Sequence, residues 1–239
     1  TVADGLPVNA VSDVTQTEDG YLWLATFDGL VRFDGAQFTV YQSGNHDGLP
    51  SSRILDVEAV GQVVWLRTES QHLVRMACGT FQTIALPNVL TLHVTDDQTV
   101  WAGTGDGLFR VEATGSATPV QGAYIQGQIS TVHQTPAGDL WVGTSEQGVY
   151  HYTKNGALDR FTGGGALSNT RINSIASLND GTVLIAAWNG VWRWADGEVE
   201  AVQSAQGEET GASFLIQKDH AGTHWVSAEQ RVYRYEAGV

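Results

Sequence analysis

One phrase returns six times along this chain, at intervals of roughly forty residues. Its plainest copies are Gly20-Tyr-Leu-Trp23-Leu-Ala-Thr26-Phe-Asp-Gly29-Leu-Val-Arg32-Phe33 and Gly138-Asp-Leu-Trp141-Val-Gly-Thr144-Ser-Glu-Gln-Gly148-Val-Tyr150. The anchors Trp23, Trp65, Trp101, Trp141, Leu184 and Trp225 lie 42, 36, 40, 43 and 41 residues apart. A repeat of that length, with strand-forming residues between turn signals, is one blade of a β-propeller. No segment sustains the 3.6-residue apolar period of a helix.

The first repeat shows how a blade is written. Val11–Gln16 predicts a first strand, and Glu18-Asp19-Gly20 a tight turn in which Gly20 supplies a positive φ. Tyr21–Thr26 and Leu30–Phe33 predict the second and third strands. Asp34-Gly35 turns the chain again, and Gln37–Tyr41 makes a fourth. The expected fold is all-β: a single β-propeller domain over 1–239, with six four-stranded antiparallel blades. Their approximate bounds are 5–44, 45–84, 85–121, 122–164, 165–204 and 205–239. The last repeat ends after its third strand, so residues 1–4 are expected to close it. An incomplete portion of a seven-bladed propeller is the alternative.

Charge narrows the choice of partner. Asp and Glu number 26 against 12 Lys and Arg, a net charge of −14. Nucleic acid and anionic membrane are bound through basic surface, so neither is expected as a partner. Cys78 is the sole cysteine, which rules out an internal disulfide and a Cys/His zinc spacing. His220 and His224 stand four apart, but in a hairpin and not on a helix, so no metal is expected there. No apolar run approaches a membrane span and no signal peptide is visible. The chain opens at Thr1 and enters the repeat within a few residues, like a piece of a longer protein.

The phrases Gly-Leu-Pro-x-Asn (Gly5 to Asn9), Gly-x-Leu-Trp-x-x-Thr and Gly-Leu-x-Arg-Phe-Asp-Gly together resemble the two-component regulator propeller repeat. Gly5 to Tyr41 carry that pattern almost throughout, and the later copies carry it in part. The resemblance implies an extracytoplasmic, periplasmic sensor module of a bacterial membrane receptor. The implied partners are a small-molecule or oligosaccharide ligand and a signalling output domain in the parent protein, either a histidine kinase or a diguanylate cyclase. A homodimer of the parent receptor is a further arrangement consistent with it.

In a propeller, the lead-in before strand one and the turn between strands two and three share one face. Loops on a rigid scaffold concentrate binding residues. The candidate ligand-binding residues are therefore Asn9, Asp28, Arg53, His72, Asp106, Glu146, Arg171, Trp188, Asn189 and Glu229. An aromatic flanked by carboxylates, amides and Arg suits a polar or saccharide-like ligand. The plainer reading is a solvated loop edge. The strand-three series Arg32, Arg75, Arg110, Arg193 and Arg234 is expected to pair with neighbouring blades, and the repeated Trp to be core. No catalytic residue, metal or cofactor is assigned. Two other functions remain open. One is a small propeller enzyme, a lyase or hydrolase acting on a saccharide-like substrate through acids such as Asp106 and Glu146. The other is a protein-interaction scaffold.

Overall fold

Short runs of β-branched and aromatic residues between glycine-bearing turns fold, in every repeat, into antiparallel strands. The computed structural model describes residues 2, 5–120, 125–155, 158–161 (backbone only), 165–203, 210–219, 222–229 and 231–235. The chain divides into two compact units, Thr1–Val120 and Gln121–Val239.

The first unit holds three four-stranded sheets. They are β1 (Val11–Gln16), β2 (Leu22–Thr26), β3 (Gly29–Phe33) and β4 (Phe38–Tyr41); β5 (Ile54–Val60), β6 (Val63–Thr68), β7 (Leu73–Ala77) and β8 (Thr80–Ile84); and β9 (Val89–Val94), β10 (Val100–Thr104), β11 (Gly107–Val111) and β12 (Ala117–Pro119). The second unit holds two four-stranded sheets: β13 (Ile129–Gln134), β14 (Leu140–Thr144), β15 (Val149–Tyr152) and β16 (Leu158–Phe161); and β17 (Ile172–Ser177), β18 (Val183–Ala187), β19 (Gly190–Ala195) and β20 (Glu198–Ala201). Its last sheet has three strands among the described residues, β21 (Ser213–Lys218), β22 (His224–Ala228) and β23 (Arg231–Tyr235). Strands pair in chain order within each sheet. The fold class is all-β, with the six-blade architecture of a β-propeller. Among the described residues there is no α-helix, and no helix is long and apolar enough to cross a membrane. The expected closure by residues 1–4 falls largely outside the described residues.

Within each unit, a blade buries its anchor against the blade that follows. Trp23 packs with Ile54, Val57 and Leu66 of the second blade, and fully buried Trp65 with Val89, Leu92 and Val100 of the third. In the second unit Trp141 packs with Ile172, Ile175 and Val183, and Leu184 with Ile216 and Val226. Two anchors are less covered. Trp101 is only half-buried, and Trp225 keeps 40% of its surface in solvent. The expectation that every anchor is core therefore fails for Trp225. Its indole N–H donates to Asp219 Oδ2 at 2.8 Å.

A second device joins blades through their first strands. In all six sheets one extra residue bulges the first strand opposite the second: Ser12, Leu55, Leu90, Ser130, Asn173 and Phe214. A bulge re-aims its side chain, and three of these reach the next blade. Ser12 Oγ donates to the Ile54 carbonyl at 2.9 Å, Ser130 Oγ to Ile172 at 2.6 Å, and Asn173 Nδ2 to Ser213 at 2.7 Å. Each receiving carbonyl lies just before the next bulge.

The anchor argument separates two tryptophans that look alike in sequence. Trp65→Ala removes a side chain with no exposed surface and is expected to cost about 3–5 kcal/mol. Trp225→Ala is expected to cost about 1 kcal/mol, as a substitution at the surface. Urea unfolding of both variants checks this, and equal losses would refute the rule.

Candidate functional site

The edge that carries the lead-ins and the turns between strands two and three is built on a repeated backbone clasp. The turn amide donates to a lead-in carbonyl of the same blade: Glu69 to Arg53 at 2.8 Å, Gly105 to Asn88 at 3.1 Å, and Ser145 to Gln128, Trp188 to Arg171 and Glu229 to Ala212, each at 2.9 Å. The sequence pairing of these two loop sets is thus met in five blades among the described residues. The buried Thr that ends strand two locks the same turn from inside. Thr26 Oγ1 donates to the Gly29 carbonyl at 2.7 Å and accepts the Asp28 amide at 3.2 Å. Thr104 and Thr144 do likewise with Gly107 and Gly148, each at 2.8 Å. At Gly148 no side chain fits, because a Cβ would stand 2.0 Å from the Leu167 carbonyl oxygen at a φ of +76°.

In the first unit these turns gather some of the expected residues and occupy them. Arg53 pairs with Glu69, and its guanidinium lies 4.8 Å over the Phe27 ring. Asp28 accepts from Gln42 Nε2 at 3.0 Å. Asn9 Oδ1 accepts the Val2 amide at 2.8 Å, and His72 Nδ1 sits 3.0 Å from Ser70 Oγ. Asp106 is exposed on its turn.

In the second unit Glu146 and Glu229 are exposed, and Asn189 is used internally. Its amide nitrogen donates to the Ala166 carbonyl at 2.7 Å, and its oxygen accepts the Trp192 indole N–H at 3.2 Å. Trp188 keeps 60% of its surface exposed and meets Phe214, itself 44% exposed, edge-on, ring centroids 6.1 Å apart. Beside it, clasped backbone to backbone, Arg171 is exposed and has no side-chain partner among the described residues. Phe214 was not a sequence candidate. It sits at the bulge of β21, and strand alternation gives no warning that a bulge will turn it outward.

Three of the strand-three arginines find their contacts within their own blade and not in a neighbouring one. Arg110 binds Glu112 (3.3 Å) and Thr99 (3.4 Å), and Arg193 binds Glu200 (2.7 Å), all within one blade. Arg32 instead lies 4.6 Å over the ring of Tyr21, in its own blade. Cys78 stands in the turn after β7, exposed, at a φ of +49°. Among the described residues no three His, Cys, Asp or Glu come together to hold a metal ion, and His220 lies outside them.

The first strands of the first unit carry titratable groups that sequence reasoning passed over. Asp13 Oδ2 accepts the Val57 amide at 2.9 Å and Glu58 Oε2 the Val94 amide at 2.7 Å, each bridging to the next blade. Burial pushes Glu58 up to about 8 and Asp13 up to about 6, against the pull of those amides. Burial also draws the His93 imidazole down to about 4. Glu58 and His93 are 3.8 Å apart, so near neutral pH they meet as uncharged groups and not as an ion pair.

An all-β chain of repeated four-stranded blades, with clasped loops on one edge, is a β-propeller. Comparison with known proteins agrees. The family model for the two component regulator propeller matches residues 5–28. A 47-residue stretch is 43% identical to Histidine kinase P4 of Formosa agariphila, covering 20% of this chain and 3% of that protein. The chain also resembles the crystal structure of the extracellular domain of what is described as a hybrid two component system from B. thetaiotaomicron. That likeness has a TM-score of 0.61 at 20% identity, over 95% of this chain and 40% of that one. Virginiamycin B lyase from Staphylococcus aureus, solved with quinupristin, is similar too, with a TM-score of 0.72 at 13% identity over 98% of this chain and 88% of that one. At these identities the structural likenesses establish the fold. The chain spans about two-fifths of the extracellular domain it resembles.

The buried carboxyls give stability a sign with pH. A carboxyl whose pKa is raised by folding stays protonated where the unfolded chain has released its proton, so stability falls as pH rises through that interval. His93 acts in the opposite direction, between about 4 and its ordinary 6.5. From pH 6.5 to 8 Glu58 alone of the three still titrates. Since 33% of its side chain is open to solvent, the expected loss over that window is about 1–2 kcal/mol. Urea midpoints at pH 6.5 and 8 measure it. Glu58→Gln should flatten the slope, and an unchanged slope in that variant would exclude Glu58 as its source.

Proposed function

We propose that this chain is the ligand-sensing propeller module of a bacterial signal-transduction receptor. It acts outside the cytoplasm, in the periplasm, and passes its signal to an output domain of the parent protein, a kinase or a diguanylate cyclase. The match to the two component regulator propeller family and the likeness to extracellular domains of two component systems support this reading. The module binds and does not catalyse. On the clasped edge of the first unit Asp28 is held by Gln42 and Glu69 by Arg53, so these carboxylates are engaged in structure.

The observation that carries the ligand assignment is the juxtaposition of Trp188, Phe214 and Arg171 at the junction of the fifth and sixth blades. Apolar aromatic surface left open on a rigid turn offers a platform for the C–H face of a sugar ring. A guanidinium without a partner offers a fork for a carboxylate or sulfate. Together they favour a small polar or saccharide-like ligand bearing an acidic group.

Thermal unfolding with a panel of neutral and acidic oligosaccharides tests the assignment. A ligand at a hundred times its dissociation constant is expected to add about 2.7 kcal/mol. Trp188→Ala, a change at an exposed turn, should abolish the gain without lowering the unfolding temperature of the free protein. Stabilisation that survives Trp188→Ala would move the site elsewhere, and consumption of the stabilising compound would make the module an enzyme.

A further inference from the structure

The opposite edge of the first two blades, where their hairpins between strands one and two and strands three and four end, holds a cavity of about 340 Å³. Asp19, Trp23, Arg32 and Tyr41 line it from the first blade, and Met76 and Cys78 from the second. That volume is at the lower end of the about 300–1,000 Å³ typical of small-molecule sites.

The strand-three arginines fall into two sets: Arg32 and Arg75 face neutral Thr39 and Gln82 across the strand and each keeps a buried Nε with no hydrogen-bond partner among the described residues. The strand-three Arg that faces the anchor is neutralised within the blade at Arg110, by Glu112, and at Arg193, by Glu200. In the first blade the residue across from Arg32 is neutral Thr39. The counterpart of Glu112 is Asp34, whose carboxylate is turned into its own loop and accepts the Ala36 and Gln37 amides at 2.9 and 2.7 Å. No described carboxylate pairs with Arg32, and its buried Nε has no hydrogen-bond partner among the described residues. Tyr21 covers one face of the guanidinium, so its donors are aimed edgewise, the direction in which a carboxylate binds.

Asp19 stands in the same wall and is not within ion-pair range of Arg32. Its Oδ1 accepts the Thr17 hydroxyl at 2.6 Å, and Thr17 Oγ1 accepts the Trp23 indole N–H at 3.1 Å. This chain fixes the carboxylate and leaves Trp23 to present its ring and not its N–H. Tyr41, tilted on Trp23 with centroids 5.7 Å apart, and Met76 complete an apolar wall.

We infer that this cavity binds a free α-amino acid with an aromatic or thioether side chain. Its carboxylate sits on Arg32, its ammonium on Asp19, and its side chain lies against Trp23, Tyr41 and Met76. One cation, one anion and apolar surface complement a zwitterion, whereas a simple anion would leave Asp19 opposed and a simple amine would leave Arg32 unpaired. The cavity belongs to the first unit, and Trp188 to the second.

Cys78, the sole thiol of the chain, is exposed and lies in the cavity wall, which makes it a local reporter. L-Phenylalanine is expected to slow alkylation of Cys78 by iodoacetamide in the intact protein, followed by mass spectrometry. L-Phenylalaninamide lacks the carboxylate and 3-phenylpropionate lacks the ammonium, so each should protect at least about tenfold less well, the loss of one charge-assisted contact. Arg32→Gln and Asp19→Asn should each weaken protection by a similar factor. Asp19 is exposed, so its variant keeps the test open if Arg32→Gln does not fold. The inference is overturned if phenylalanine leaves the rate unchanged, if either truncated probe protects as well as the amino acid, or if the Asp19→Asn variant is protected like the native chain. None of these outcomes depends on the fate of Trp188→Ala.

Discussion

Everything in this structure depends on one blade covering the second-strand anchor of the blade before it. A four-stranded sheet has two faces and cannot hide either by itself, so an indole such as Trp65 or Trp141 becomes core only because the next repeat lies against it. The hydrogen bonds from bulged Ser12, Ser130 and Asn173 then fix how far one blade can slide on the next. Hydrophobic cover supplies the energy, and the bulge supplies the register.

That arrangement also has a cost, visible at the first strands of the first unit. Where the bulged residue is Leu55 and offers no polar group, Glu58 carries the bond to the third blade. A carboxyl long enough to reach across must be partly taken out of water, and it holds its proton in consequence. Ser and Asn do the same work without titrating. The pH sensitivity of this module is therefore a by-product of which side chain bridges two blades, not evidence of a catalytic acid.

The blades were legible because alternation and turn glycines are local signals: the strand expected over Val11–Gln16 is β1, and those of its three successors differ by one residue at an end. The clasped edge was legible as well, since chain order alone assigns lead-ins and turns to it. Three things were not. A bulge has no sequence signature here, its six residues being Ser, Leu, Leu, Ser, Asn and Phe, so Phe214 could not be seen beside Trp188. The same residue at the same repeat position is buried at Trp65 and 40% exposed at Trp225, which the sequence does not reveal. The state of Arg32 depends on the residue across the strand, and Thr39 stands where another blade has Glu200.

A repeat array keeps most positions equivalent, so departures mark where it does something other than stack. Blade four puts His151 where the others have Arg, and its ring stacks on Trp141 at 4.3 Å, which is packing. The departures at Trp188 with Phe214 and at Arg32 with Asp19 leave groups open to a ligand, and each spans two blades, the fifth and sixth or the first and second. In such an array the stability is a sum of blade terms and junction terms, and the junctions are where a small energy changes the arrangement. A ligand shifts a conformational equilibrium only through its differential affinity for the two states. A molecule held within one rigid blade has no such difference to exploit, whereas one that touches two blades binds more tightly to one spacing of them than another. Under the proposed function, both candidate sites lie where binding would be converted into movement, which is what a sensing module requires of its ligand.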